Sequence, residues 1–276
     1  KACLRKKVSL MNKLEIEKLH FAYDKTTPVI KGINLVLDDR KTAIIGQNGS
    51  GKTTFVKLLK GLLRPDSGRI LLDGIDLKTL TVAQISKKIG LVFQNPDDQI
   101  FKNTVLDEVM VGPLNIGLSL DEARASSRAA LAQVELVDVE KVNPYDLNLA
   151  QRKMVALASI LAMDTPIVIF DEPTMGQDAT GKAIIKKVIE NLQAEGKAVL
   201  CILHDMDFAA AVFERVVVFS QGQLLLEGGA REVFSKKDLL QQAYLDQPQA
   251  MKIAQALGMQ GYLLSVEEVI SALEKP

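Results

Sequence analysis

The sequence predicts an α/β fold: buried strands carrying a phosphate-binding loop, joined by an antiparallel β-layer, an inserted helical subdomain and a small helical C-terminal appendage. The prediction rests on a glycine-rich loop set between a strand and a helix, on short apolar strands that each end in a polar residue, and on a long helical stretch that interrupts the strand pattern.

The loop is Gly46-Gln47-Asn48-Gly49-Ser50-Gly51-Lys52-Thr53, followed by Thr54. It satisfies the phosphate-binding pattern G-x-x-x-x-G-K-[ST]. Its glycines let the backbone turn tightly and present several N–H groups to one anion. Lys52 reaches toward β- and γ-phosphates, and the Thr53 hydroxyl is suited to Mg²⁺. Thr42 to Ile45 reads as a buried strand entering the loop, and Thr54 to Leu59 as a helix leaving it. The helix N-terminus adds positive dipole where the phosphates would lie.

Around this loop, Leu14 to Leu19 alternates as a half-buried strand, and Val29 to Leu37 reads as a second strand. Tyr23 stands between them, and its position suits either a stacking platform for an adenine ring or an ordinary edge-strand aromatic. Pro65-Asp66-Ser67-Gly68 is a turn, and Arg69 to Asp73 returns as a strand. Ile89 to Phe93 is a short apolar strand ending at Gln94, where α/β proteins bind ligands. Position alone leaves Gln94 open as a Mg²⁺ or water contact or as a strand cap.

From Thr104 to Met163 the pattern is helical, with runs over Leu120 to Val134 and Gln151 to Met163 separated by Asn143-Pro144. Pro166 to Phe170 is a fully buried strand that delivers Asp171-Glu172 at its tip. Adjacent carboxylates there need partners. Mg²⁺ is one for Asp171, and Glu172 is placed to orient and deprotonate a water. Ala198 to Leu203 is another buried strand, ending at His204, one of only 2 histidines. Val216 to Phe219 and Leu224 to Leu226 form a hairpin around Gln221-Gly222. The expected divisions are an N-terminal extension over 1–12, a nucleotide-binding domain over 13–229 with its helical subdomain at about 97–163, and the appendage over 230–276.

Composition narrows the class. The chain has 276 residues, 47% of them apolar, which suits one large domain with a full core. Lys+Arg and Asp+Glu are 34 each, so no charge argument for nucleic-acid binding arises. The longest apolar run lies within Val155 to Met163, far short of a bilayer span, and no apolar segment follows the basic residues Lys1 to Lys7 as in a secretory signal. Met11 is a candidate start. Cys3 and Cys201 have no metal-ligand spacing and suggest a reducing, cytoplasmic compartment.

The order Tyr23, phosphate loop, Gln94, helical subdomain, Asp171-Glu172-Pro173-Thr174, Asp178 and His204 resembles the ATP-binding subunit of an ABC transporter over roughly residues 13–230. Within that family the chain is similar to the energy-coupling-factor (ECF) ATPases, which energise uptake of vitamins and of cobalt or nickel. The narrower resemblance is carried by Val92 to Phe101 (VFQNPDDQIF), Asn143 to Leu147 (NPYDL), Leu245 to Gln249 (LDQPQ) and Ala254 to Gly258 (AQALG). It implies that Tyr23 stacks on adenine and that Lys52 with the backbone from Asn48 to Thr54 holds phosphates. Thr53, Gln94 and Asp171 would organise Mg²⁺, Glu172 would act on the attacking water, and His204 would contact the γ-phosphate. It further implies a head-to-tail ATPase dimer at the cytoplasmic face of the cell membrane, a transmembrane coupling subunit contacted by the helical subdomain and the Gln94 loop, and a membrane protein that selects the solute.

The chain departs from the family at the signature motif. Leu-Ser-Gly-Gly-Gln is expected, and Leu147-Asn148-Leu149-Ala150-Gln151 stands there. The serine hydroxyl and glycine N–H groups bind γ-phosphate across the dimer, where the backbone must come close. Asn148 offers a replacement donor, but Leu149 must clash or retreat. Met175-Gly176-Gln177 before Asp178 is also unusual. An intact site of its own with an impaired contribution to the opposite site favours a heterodimer with one competent and one degenerate site. The alternatives are a homodimer with a tolerated variant, a regulatory ATP-binding module with negligible turnover, and a soluble ABC protein without a membrane partner. The DNA-repair form of the last would need a long heptad run, and the sequence has none.

Overall fold

A computed structural model describes residues 13–24 and 26–274. The expected extension over 1–12, with Cys3 and Met11, lies outside the described residues. The chain begins with strands β1 (Leu14–Ala22) and β2 (Pro28–Leu37), paired antiparallel, then β3 (Thr42–Gly46) and helix α1 (Lys52–Leu59). Strands β4 (Ser67–Leu72) and β5 (Ile75–Asp76), the short helix α2 (Val82–Ser86) and strand β6 (Ile89–Val92) follow. The helical insertion comprises α3 (Val105–Ile116), α4 (Leu120–Gln133) and α5 (Leu149–Leu161). The core resumes with β7 (Ile167–Asp171), α6 (Ala179–Ala194), β8 (Ala198–Leu203), α7 (Met206–Val212), β9 (Arg215–Ser220) and β10 (Gln223–Gly229). Helices α8 (Ala230–Ser235), α9 (Lys237–Gln242), α10 (Gln249–Ala256) and α11 (Val266–Leu273) end the chain.

The strands form two sheets. The antiparallel one has the order β2-β1-β4-β5. Strict alternation would turn Leu19 to the wrong face after Leu14 and Ile16. A register shift between Ile16 and Leu19, with Lys18 at φ 45°, returns Leu19 and then Phe21 to the core. The second sheet has the order β10-β9-β3-β8-β7-β6, with β9 through β6 parallel and β10 antiparallel at the edge. Its parallel strands are apolar on both faces, as a covered sheet requires. In β7, Ile167 and Ile169 face the β-layer side with Ile44, Phe55 and Phe219. Val168 and Phe170 face the other side with Val155, Val188 and Ile189.

Helix α5 starts at Leu149, two residues before the Gln151 start that its apolar periodicity indicates. The reason is a reciprocal cap: Gln151 N donates to Asn148 Oδ1 at 2.9 Å, and Asn148 N donates to Gln151 Oε1 at 3.3 Å. At the C-terminal end, Val233, Phe234 and Leu240 of α8 and α9 enter the main core, whereas Ala250, Ala254 and Val269 form a minor cluster. Among the described residues no helix is long and apolar enough to cross a membrane.

The phosphate loop is anchored from behind by Phe55 of α1, fully buried and packed edge-on against Phe219 of β9 at 5.1 Å between ring centroids. Phe55→Ala is expected to lower stability by about 3–5 kcal/mol, the usual cost of emptying a buried aromatic site. Urea denaturation measures this, and a loss below about 1 kcal/mol would contradict the anchoring role.

Candidate active site

The polar residues that end the parallel strands meet along one sheet edge. Register sets this: Gly46 lies beside Phe219, Ile45 beside Leu203, Asp171 beside Ile202 and Val92 beside Phe170. The residues following β3, β8, β7 and β6 therefore open onto the same cleft. Gln94, Glu172, Thr174, Met175 and His204 line it with Asn48 of the loop.

The loop's shape depends on glycine at two positions. A Cβ on Gly46 would lie 2.4 Å from the Phe219 carbonyl oxygen and 2.8 Å from Ser50 Oγ. Gly51 caps α1 at φ 100°, a left-handed conformation that other residues adopt at a cost. Gln47, Asn48 and Gly49 are exposed, while Ser50 is buried with its Oγ unpartnered. Lys52 is 5% exposed and its Nζ donates to the carbonyls of Gly46 at 2.7 Å and Gln47 at 2.9 Å. Burial pushes its pKa down, offset by the Glu172 and Asp171 charges. Thr54 is buried, and its Oγ1 lies 3.3 Å from the Tyr23 hydroxyl. Tyr23 packs edge-on against Phe21, yet 61% of it is exposed, so its ring is available beside the loop.

The two carboxylates of the β7 tip have different surroundings. Asp171 is 4% exposed, and burial pushes its pKa up to about 6 against the hydrogen bond from Thr53. Its Oδ1 is buried without a partner. A buried carboxylate oxygen lacking a donor, with a threonine hydroxyl beside it, fits a hard cation such as Mg²⁺, which takes few protein oxygens and completes its shell with phosphate and water. Among the described residues no group of three or more His, Cys, Asp or Glu side chains forms a metal cage.

Glu172 is gripped on both oxygens. His204 Nε2 donates to Oε1 at 2.8 Å, and Gln94 Nε2 donates to Oε2 at 3.0 Å. The hydrogen bond from His204 holds its pKa below the usual value despite burial, so the group is ionised at neutral pH. Its backbone sits at φ 51°, in the left-handed region, which costs on the order of 1 kcal/mol for a residue with a Cβ. Asp178 caps α6, accepting from Gly181 N at 2.8 Å.

The signature residues do not line this cleft. Leu147 packs against the core, Asn148 caps α5, and Leu149 is 46% exposed. Ala150 and Gln151 lie on the first turn, with Gln177 Nε2 donating to the Ala150 carbonyl at 3.0 Å. Sequence reasoning missed Lys153, which is buried beneath Glu172 and Met175. Arg152, which directly follows the signature, places its Nη1 2.8 Å from Asp97 Oδ1. The signal for Lys153 was its phase: it stands four and seven residues before Leu157 and Ile160, on the apolar stripe.

The ABC transporter family profile matches residues 30–175, more than half of the chain. The chain belongs to the ABC transporter family. A putative ABC transporter ATP-binding protein of Pyrococcus furiosus is 39% identical over 260 residues, covering 94% of this chain and 99% of the relative. The energy-coupling factor transporter ATP-binding protein EcfA of Methanothermobacter thermautotrophicus is 36% identical over 258 residues, covering 92% of this chain and 83% of that protein. Among solved structures, CbiO1 of Clostridium perfringens, part of the ABC transporter complex CbiONQ, superposes with a TM-score of 0.75 at 32% identity, covering 89% of this chain and 98% of that one. This ABC subunit is an ATPase whose hydrolysis is coupled to transport.

In this ABC ATPase a methyl group at position 46 has no room between the Phe219 carbonyl and Ser50. Gly46→Ala is expected to weaken binding of a fluorescent ATP analogue by about tenfold or more, since a misplaced backbone loses several N–H contacts together. Wild-type affinity in that titration would show that the loop yields at Gly46.

Proposed function

We propose that this chain is the ATP-hydrolysing subunit of an ECF-type importer for a vitamin or a transition-metal ion. Its site is assigned at the head-to-tail interface with a second ATPase subunit, on the cytoplasmic face of the membrane. A transmembrane coupling subunit and a substrate-binding membrane protein complete the assembly. The observation that carries the reading is the Glu172 carboxylate, ionised and held between His204 and Gln94 beside the phosphate loop.

In this reading Tyr23 stacks on adenine, and the backbone from Gly46 to Thr54 with Lys52 holds the phosphates. Lys52 exchanges its loop carbonyls for phosphate oxygens. Thr53, Asp171 and the Gln94 side-chain oxygen would hold Mg²⁺, which would supply charge neutralisation to the phosphates. Glu172 orients the attacking water and accepts its proton, and His204 holds Glu172 while facing the γ-phosphate. Asp178 belongs to the loop that meets the partner subunit.

The altered signature supports the heterodimer. Asn148 Oδ1 is occupied by capping, and Leu149 presents a side chain where the close approach of a phosphate needs bare backbone. This chain's weak signature then faces the partner's loop, and the partner closes this chain's competent site. The homodimeric reading draws on the same cap, since the helix N-terminus keeps its geometry without serine or glycine.

Glu172→Gln is expected to slow Mg²⁺-dependent turnover about a hundredfold or more while ATP binding persists, the scale of a lost general base. An unchanged rate in an active preparation removes Glu172 from the mechanism. For the signature, the purified chain is assayed over a range of concentrations beside Asn148→Ser/Leu149→Gly/Ala150→Gly. A nearly silent wild type and an active triple variant are expected. A wild-type rate that climbs steeply with concentration would establish the homodimer instead.

A further inference from the structure

The N-terminal part of α5 reaches back into its own subunit's site. Lys153 is 7% exposed, and its Nζ donates to the Met175 carbonyl at 2.8 Å and to the Glu172 carbonyl at 3.4 Å. Burial pushes its pKa down, offset by the nearby Glu172 and Asp171 charges. Beside it, Gln177 holds Ala150 and Arg152 pairs with Asp97, so the helix is tied both to the segment after β7 and to the loop after Gln94.

We propose that Lys153 is a positioning residue for ATP hydrolysis: its buried ammonium pins the backbone of Glu172 and Met175, and thereby aims the Glu172 carboxylate. Packing alone does not ask for a cation here, because the stripe continues with Leu157 and a flexible apolar side chain fills the same volume. Burying an ammonium is unfavourable unless its donors are used. Here they are used on the turn that needs support. Glu172 sits at φ 51°, and among the described residues its carbonyl receives one backbone N–H, from Met175 at 3.4 Å. Without the ammonium, both carbonyls lose a charged donor and the left-handed turn relaxes. The carboxylate then drifts from His204 and Gln94, and a displacement of about 1 Å at a reacting group costs up to about a hundredfold in rate. The signature helix therefore acts in its own subunit through Lys153, independently of what Asn148 and Leu149 do across the dimer.

The inference rests on the reading of Glu172 as the group acting on water, and the test separates the two. The tagged full chain, isolated from native membranes with its partners, is assayed with ATP and Mg²⁺. Lys153→Met should lower kcat about tenfold or more with KM and nucleotide affinity within about twofold, and Lys153→Arg should recover most of the loss. Combined with Glu172→Gln, Lys153→Met should cost nothing further, because it acts through that carboxylate. If Lys153→Met does not assemble, Lys153→Gln carries the same expectation. Wild-type kcat in either variant overturns the proposal, as does a loss shared with nucleotide affinity or one that adds in full to Glu172→Gln. An unchanged rate for Glu172→Gln itself refutes the underlying reading instead.

Discussion

Parallel pairing of β3, β8, β7 and β6 is the constraint on which the rest depends. Parallel strands end at the same edge, so one register aligns the phosphate loop, His204, Asp171-Glu172 and Gln94 without further devices. The strands are apolar throughout because helices and the β-layer cover both faces. Polarity is thereby confined to the strand tips, and the chemistry collects there.

At that edge neighbouring carboxylates take opposite electrostatic paths. Asp171 is buried with an oxygen left unsatisfied, and burial raises its pKa. Glu172 lies one residue further, outside the sheet, where Gln94 and His204 each donate to one of its oxygens and the His204 hydrogen bond holds its pKa down. The first environment asks for a cation, and the second prepares an oriented, ionised acceptor. The left-handed backbone at Glu172 separates the two, since an extended residue there would continue the strand.

The helical insertion is bound to this edge by polar ties as well as apolar packing. Gln99 spans the gap, its side chain accepting from Phe93 N at 3.3 Å and donating to the Ala156 carbonyl at 2.8 Å. Arg152 with Asp97 and Lys153 with Met175 complete the junction. A movement of the insertion would therefore be felt at Gln94 and at Glu172, the geometric requirement for coupling a docked membrane subunit to hydrolysis.

The phosphate loop and the strand tips were legible in the sequence alone. These are local features: a glycine pattern over Gly46 to Thr53 and apolar runs closing on Gln94, Asp171 and His204. Short-range spacing also exposed the unusual signature, because a contiguous motif can be read without knowing what packs against it. Which of these groups touch depends on how the elements pack. The grip of His204 and Gln94 on Glu172 joins three strand ends, and pairwise register sets it. The two-residue advance of α5 came from a side-chain cap that its apolar periodicity does not register. Lys153 stands in phase with the apolar stripe of α5, which marks it as inward but not what it meets. Its burial follows from how α5 packs against the turn after β7, and no one-dimensional pattern specifies that contact.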